Sequence, residues 1–324
     1  MIETLAVLAW LFGAPDPTAS DPWDAHRSRS SVRDASLAAP RDVPLGVAAA
    51  GCVGYYPMRS SDPKLQARLE AGLREGGLWE AARGGRLAVA VVDLTMKGRA
   101  RYAGVNDDIM FYAASLPKIL SLLAMADQAD RGALPWNRKV EARLSNMINR
   151  SSNADASWAF DRVGLDALEE VVTRPGYCFY GAEHGGLWLG RPFRPGGPTR
   201  RDPQFNISHG ATARQVARFY TLMDLELFEG ETTSQRVKEL MGPPELHHKF
   251  VRALADRDVT ITARKSGTWR AHHADSALVE HRGRRYAVVA LAHMKDGSRA
   301  VEQIARVADD CVLSTAPTEP RPRR

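Results

Sequence analysis

Segments with the alternation and β-branched content of strands lie at the two ends of a long helical stretch. That order constrains the fold more than any other feature. Leu87–Leu94 and Arg101–Val105 stand on one side, Thr260–Lys265, Ser276–His281 and Tyr286–His293 on the other. Helical periodicity fills the interval, at Leu116–Asp130, Lys139–Asn149, Asp155–Asp161, Asp166–Val172, Ala213–Leu225 and Thr233–Met241. No helical crossover separates the strands within either group, which favours an antiparallel sheet. Turn residues at Lys97-Gly98 and Arg282-Gly283-Arg284 join strands within the two groups. A helix begins at Asp62-Pro63, an N-cap followed by proline, and presents Leu65, Leu69 and Leu73 on one face. Another runs from Ser298 to Val312 with Val301, Ile304, Ala308 and Val312 aligned. The expected fold is α+β, an α/β/α sandwich. An antiparallel sheet of about five strands is flanked by N- and C-terminal helices, with an all-helical lobe inserted.

Composition narrows the class. The chain has 324 residues, 44% of them hydrophobic, with 44 Lys+Arg against 38 Asp+Glu and a net charge of +6. That apolar content excludes a wholly disordered chain. The longest apolar run, Leu5–Ala14, falls short of the roughly 20 residues a bilayer span needs, so no integral membrane span is expected. Basic residues are scattered apart from Arg321-Pro322-Arg323-Arg324, and no zinc-finger or base-stacking pattern accompanies them. Nucleic acid is therefore not an expected partner. Residues 1–14 read as a signal-like segment of atypical kind, with Glu3 and no Lys or Arg, pointing to a periplasmic or secreted protein. Ala49-Ala50-Gly51-Cys52 has the end of a lipoprotein box, but too short an apolar run before it. Residues 15–60 read as a flexible linker and 314–324 as a disordered tail. The globular part, 61–313, divides into a sheet lobe (61–112 and 258–313) and a helical lobe (113–257). Cys52, Cys178 and Cys311 form no C-x-x-C pair; buried free thiols are the first reading and a Cys178–Cys311 bridge the second.

Three short motifs carry chemistry. Ser115-Leu116-Pro117-Lys118 opens a helix, which makes Ser115 and Lys118 neighbours on one face. A serine hydroxyl is a weak nucleophile without a base, and a desolvated lysine can be that base. Ser151-Ser152-Asn153 lies between two helices, where such residues also serve as caps. Lys265-Ser266-Gly267-Thr268 ends a strand. Its glycine admits a close backbone approach, and its lysine and hydroxyls suit an anionic group. His247-His248 and His272-His273 tempt a metal reading, but adjacent residues on a strand face opposite ways. No metal or other cofactor is expected.

The order S-x-x-K, S-x-N, K-S-G, each on the right kind of element, resembles class A β-lactamases and the related penicillin-binding serine hydrolases. The resemblance extends from about Leu65 to Val312. It implies Ser115 as acylated nucleophile, Lys118 as its activator and Ser151 as proton shuttle to the leaving nitrogen. It further implies Asn153 on the substrate side-chain amide, Lys265 and Ser266 on its carboxylate, and the N–H groups of Ser115 and Thr268 as oxyanion hole. The implied function is a serine hydrolase working through an acyl-enzyme, first on β-lactams. The alternatives are a DD-carboxypeptidase on peptidoglycan peptide and a non-hydrolytic β-lactam sensor. Departures are equally visible. Ser152 stands where the family has Asp, and the 36-residue interval from Ser115 to Ser151 is short for class A. The family's deacylation glutamate sits in E-x-x-L-N; here the matching stretch is Glu183-His184-Gly185-Gly186-Leu187, with no Asn following. Glu183 is thus the candidate for activating water, against the reading of a solvated loop residue. Nothing in the pattern sets an oligomeric state.

Overall fold

A computed structural model of the chain describes residues 60–315, apart from 97, 98 and 182. The signal-like segment, the linker up to residue 59, Cys52, the Lys97-Gly98 turn and the tail beyond 315 lie outside the described residues.

Helix α1 (Pro63–Glu75) starts as its sequence requires. Asp62 accepts the Leu65 N–H at 2.9 Å, and Pro63 occupies the first turn. Leu65, Leu69 and Leu73 are fully buried. A short α2 (Trp79–Arg83) leads into β1 (Leu87–Asp93) and β2 (Arg101–Val105). After the helical stretch come β8 (Val259–Trp269), β9 (His272–His281), β10 (Arg284–His293) and the terminal helix α10 (Gly297–Ser314). The five strands form one antiparallel sheet in the order β2-β1-β10-β9-β8. The α+β fold read from the sequence is therefore the one observed.

The core lies between this sheet and α1 with α10. Leu65, Leu69 and Leu73 meet Val301, Ile304, Ala308 and Val312 above Val89, Val91, Val288 and Ala290. Burying one such aliphatic side chain is worth roughly 1.5–3 kcal/mol. Strand β1 is buried along its whole length, because α7 (Ala213–Asp224) covers the opposite face. Two-sided burial explains why β1 reads as a continuous apolar run rather than an alternation. Arg282 and Gly283, both with positive φ (48° and 73°), make the two-residue turn that joins β9 to β10.

The helical lobe contains α3 (Lys118–Asp130), α4 (Arg138–Asn149), α5 (Asn153–Val163), α6 (Leu165–Thr173), α7, α8 (Thr233–Met241) and the short α9 (Phe250–Ala253). Between α6 and α7 a long Gly/Pro-rich stretch, Arg174–Gly210, folds into small ladders. Strand β4 (Tyr180–Gly181) pairs with β5 (Gly185–Gly186). The second ladder joins β3 (Phe111–Tyr112), β6 (Trp188–Leu189) and β7 (His209–Ala211) in the order β3-β7-β6. Two- and three-residue strands carry no periodicity, which is why the sequence pattern does not show them.

Two differences matter. Strand β8 continues through Lys265–Trp269 instead of ending at Lys265, because its backbone stays paired with β9 up to Trp269↔His272. And Cys178 is disulfide-bonded whereas Cys311 is a buried free thiol, so the Cys178–Cys311 bridge is not formed. Burial raises the Cys311 thiol to about 12, a chemically quiet state.

Candidate active site

The three motifs converge where the edge strand β8 passes the start of α3. Gly267 is the point of closest approach: a Cβ there would come within 2.2 Å of the Ala113 carbonyl oxygen and 2.9 Å of the Ser115 nitrogen. Only a glycine permits that contact. Helix α3 begins at Lys118 rather than Leu116, since Ser115–Pro117 form a turn in which Lys118 N–H donates to the Ser115 carbonyl at 3.3 Å. Ala114, just before Ser115, holds φ at 51°, and Ser151 holds φ at 58°. A non-glycine residue in this left-handed region costs on the order of 1–3 kcal/mol, and such residues cluster at functional sites.

Lys118 is fully buried. Its Nζ donates to Ser151 O at 2.7 Å, Ser151 Oγ at 3.3 Å and Asn153 Oδ1 at 2.8 Å. Burial brings its pKa down to about 7, so a neutral amine is accessible near neutrality. Lys265 Nζ reaches the same hydroxyl, donating to Ser151 Oγ at 3.1 Å and to Ser266 O at 2.8 Å. Burial lowers its pKa as well, and the charge of Lys118 adds to the effect. Ser151 Oγ thus accepts from two lysines, which uses both of its lone pairs and leaves its own proton to be donated elsewhere.

Lys118, Ser151, Asn153 and Lys265 are therefore brought together by hydrogen bonds, Ser115 stands beside them with its backbone nitrogen against Gly267, and Ser266 joins through its carbonyl. Thr268 follows on the same strand, exposed at its mouth. Ser152 has a separate task, capping α5 by accepting the Asp155 N–H at 3.2 Å. The capping reading of the second motif holds for its middle residue, while Ser151 and Asn153 face the lysines.

Glu183 does not join this group. It lies between β4 and β5 with its side chain 68% exposed, and its ion-pair contact is His184 at 3.6 Å. The group over Lys118 is the Phe193 ring, with Nζ 4.5 Å from its centroid. Among the described residues, no carboxylate lies within ion-pair distance of Lys118. Phe193 also packs on the buried imidazole of His209, 4.5 Å between ring centroids. Desolvation holds His209 neutral, with its pKa at about 3. The sequence pattern singled out neither ring. The unusual length of the Gly/Pro-rich loop was the available signal for Phe193. Of the two tempting histidine pairs, His272 is stacked on His293 at 4.1 Å.

Residues 140–314 match the beta-lactamase enzyme family. The chain is similar in structure to a beta-lactamase from Sphaerobacter thermophilus, with a TM-score of 0.58 and 17% identity over 78% of this chain and 98% of that one. It is similar to a PBP-A mutant solved as an acyl-enzyme complex with penicillin-G, with a TM-score of 0.58 and 17% identity over 80% and 100%. A variant of the class A beta-lactamase of the last common ancestor of Gram-negative bacteria gives a TM-score of 0.56 and 20% identity over 77% and 98%. At these identities the likeness is one of fold. No curated protein sequence matches the chain.

Proposed function

The chain belongs to the beta-lactamase enzyme family, and from that premise we propose that it is a serine hydrolase that forms an acyl-enzyme on Ser115, with a β-lactam as the first substrate. The observation that carries the reading is the buried Lys118, its pKa near 7, bonded to Ser151 and Asn153 one helical turn from Ser115. Neutral Lys118 takes the Ser115 proton as Oγ bonds to the lactam carbonyl carbon. The developing oxyanion lies between the N–H groups of Ser115 and Thr268. The C–N bond then breaks, Ser151 protonates the departing nitrogen, and Lys118 returns a proton to Ser151. Lys265 and Ser266 hold the substrate carboxylate, and Asn153 its side-chain amide. Water finally cleaves the ester and Ser115 recovers its proton.

A second reading, a penicillin-binding peptidase or sensor with a long-lived acyl-enzyme, is favoured by one specific observation. The apolar Phe193 covers Lys118, so among the described residues no carboxylate beside Lys118 takes the part of a water-activating base. The PBP-A mutant solved with penicillin-G bound as an acyl-enzyme is a precedent for a trapped adduct on this fold. Peptidoglycan peptide is the natural substrate of that reading. Either substrate is met outside the cytoplasm, which fits a periplasmic or secreted protein.

A fluorescent penicillin tests both readings. Label that appears on the protein and leaves quickly marks a β-lactamase; label that stays marks the second reading; no label rejects the acyl-enzyme. Two further outcomes are expected. Lys265→Ala should weaken penicillins that bear the carboxylate at least about 10-fold more than analogues lacking it, since a hydrogen bond to a charged group is worth about 1.5–3 kcal/mol. Competition binding with the two ligand classes reads this, and equal losses would make Lys265 structural. Glu183→Gln should leave the decay of the acylated mass unchanged, because the side chain is exposed and paired with His184. A decay slowed by the roughly 10²–10⁴-fold of general-base loss would restore Glu183 as the deacylation base.

A further inference from the structure

Lys249 lies outside all three motifs, yet it is buried (2% exposed) directly behind the third. Its backbone holds φ at 50° and ψ at −116°, a costly conformation for a residue with a side chain. Its Nζ donates to the Gly267 carbonyl at 2.6 Å, to Thr268 Oγ1 at 2.8 Å and to the Ala274 carbonyl at 2.9 Å. All three ammonium protons are thereby used.

The direction of the Gly267 carbonyl has a consequence for the next residue. Gly267 is in register with Ala274 of β9, and Lys249 bonds both carbonyls, so the Gly267 carbonyl points toward β9. The Ser266 carbonyl points the other way, toward the Lys265 ammonium beside Ser151, which bonds it. A trans peptide is planar, with its C=O and N–H opposed. The Thr268 N–H therefore points away from β9, along the free edge of the sheet, on the side where Gly267 approaches the Ser115 nitrogen.

The geometry points to Lys249 as the positioning residue of the oxyanion hole: its ammonium fixes the Gly267–Thr268 peptide from behind and polarises it, aiming the Thr268 N–H to the side on which Ser115 lies. This rests on the reading of Ser115 as nucleophile and of Thr268 as oxyanion donor. A cation on the carbonyl end of a peptide strengthens its N–H as a donor, as expected where hydrogen bonds polarise one another in a low-dielectric interior. The charge is also poised to be lost. Burial lowers the Lys249 pKa to about 8; Asp275 of β9 and Glu302 of α10 act upward and Arg264 of β8 acts downward. His248, next in the chain, and His273 of β9 also border it, and both have pKa values lowered by burial and by the Lys249 charge. Above pH 8 the neutral amine has two protons for three acceptors.

The test is single-turnover acylation by a fluorescent penicillin over a range of concentrations, which separates the limiting rate from half-saturation. In Lys249→Met the limiting rate should fall by about 100-fold, the lower range for a lost oxyanion donor, with half-saturation within about twofold of wild type. Lys249→Arg should restore much of the rate and, being always charged, should lack the fall above pH 8 expected of wild type. An unchanged limiting rate in Lys249→Met overturns the proposal, as does a loss confined to half-saturation, which would make Lys249 a substrate grip. The Thr268 amide resonance gives a readout independent of acylation. It should titrate with a midpoint near 8 in wild type and not in Lys249→Arg. A wild type that takes no label rejects the Ser115 reading, whereas a Thr268 amide that does not titrate rejects the role of Lys249.

Discussion

Ser115→Ala is expected to abolish covalent labelling by a β-lactam while leaving the fold intact. The residue is at the turn before α3, half-buried, and its backbone rather than its hydroxyl holds that turn through the Lys118 N–H. Removing one oxygen from a partly solvated site costs little stability, typically within about 0.5 kcal/mol for a surface change. Removing the proposed nucleophile takes away the bond-forming step altogether, so the adduct mass should vanish rather than shrink. Intact-mass spectrometry after a penicillin pulse reads the first claim and thermal unfolding the second. An equal mass shift in Ser115→Ala would assign the adduct to another side chain and remove the mechanism proposed above.

Lys118→Met should slow acylation by roughly 10²–10⁴-fold, the usual worth of a positioned general base. Wild type should show the reason in its pH profile. An amine accepts a proton only when neutral, and the neutral fraction of Lys118 grows as pH passes about 7. The acylation rate should therefore rise through that value, and the rise should be absent in Lys118→Met. A flat wild-type profile across pH 6–8 would argue that Lys118 stays charged and merely orients Ser151 and Asn153. The same depressed pKa has a stability consequence. Between about 7 in the folded protein and about 10.4 in the unfolded chain, the unfolded state binds more protons. Lys118 therefore makes stability rise with pH across that window and contributes its full penalty below it. Urea midpoints at pH 7 and 9, compared between wild type and Lys118→Met, isolate this contribution.

The sheet was legible because burial leaves a mark on every second residue or on whole runs. Leu65, Leu69 and Leu73 mark the inner face of α1, and the unbroken Leu87–Asp93 marks a strand covered on both sides. The candidate site was legible because the chemistry proposed for it asks for particular residue types on particular elements, as at Ser115, Lys118, Ser151 and Lys265. What was not legible has a common physical form. Phe193 meets Lys118 across 75 residues of chain and Lys249 meets Thr268 across the turn into β8, and neither contact follows any period. The continuation of β8 beyond Lys265 rests on backbone pairing with β9, to which side-chain hydropathy is indifferent. Glu183 looked eligible as the carboxylate of its stretch, but eligibility in a sequence carries no information about exposure.

The place of β1 in the sheet has a consequence for how the molecule comes into being. Its neighbours are β2, which follows within a few residues, and β10, which is translated almost two hundred residues later. Synthesis proceeds at roughly 5–20 residues per second. For about ten seconds or more, then, a nascent chain carries Val89 and Val91 on an apolar strand with one edge unmatched, the kind of edge other chains can join. Lys265 and Gly267 emerge in the same late portion, so the lysine pair around Ser151 cannot exist before the sheet is nearly whole. An interrupted translation product ending before Arg284 would be adhesive and chemically inert. A sheet with β1 paired on both edges and the lysine pair around Ser151 thus arrive together, with the final strands and α10.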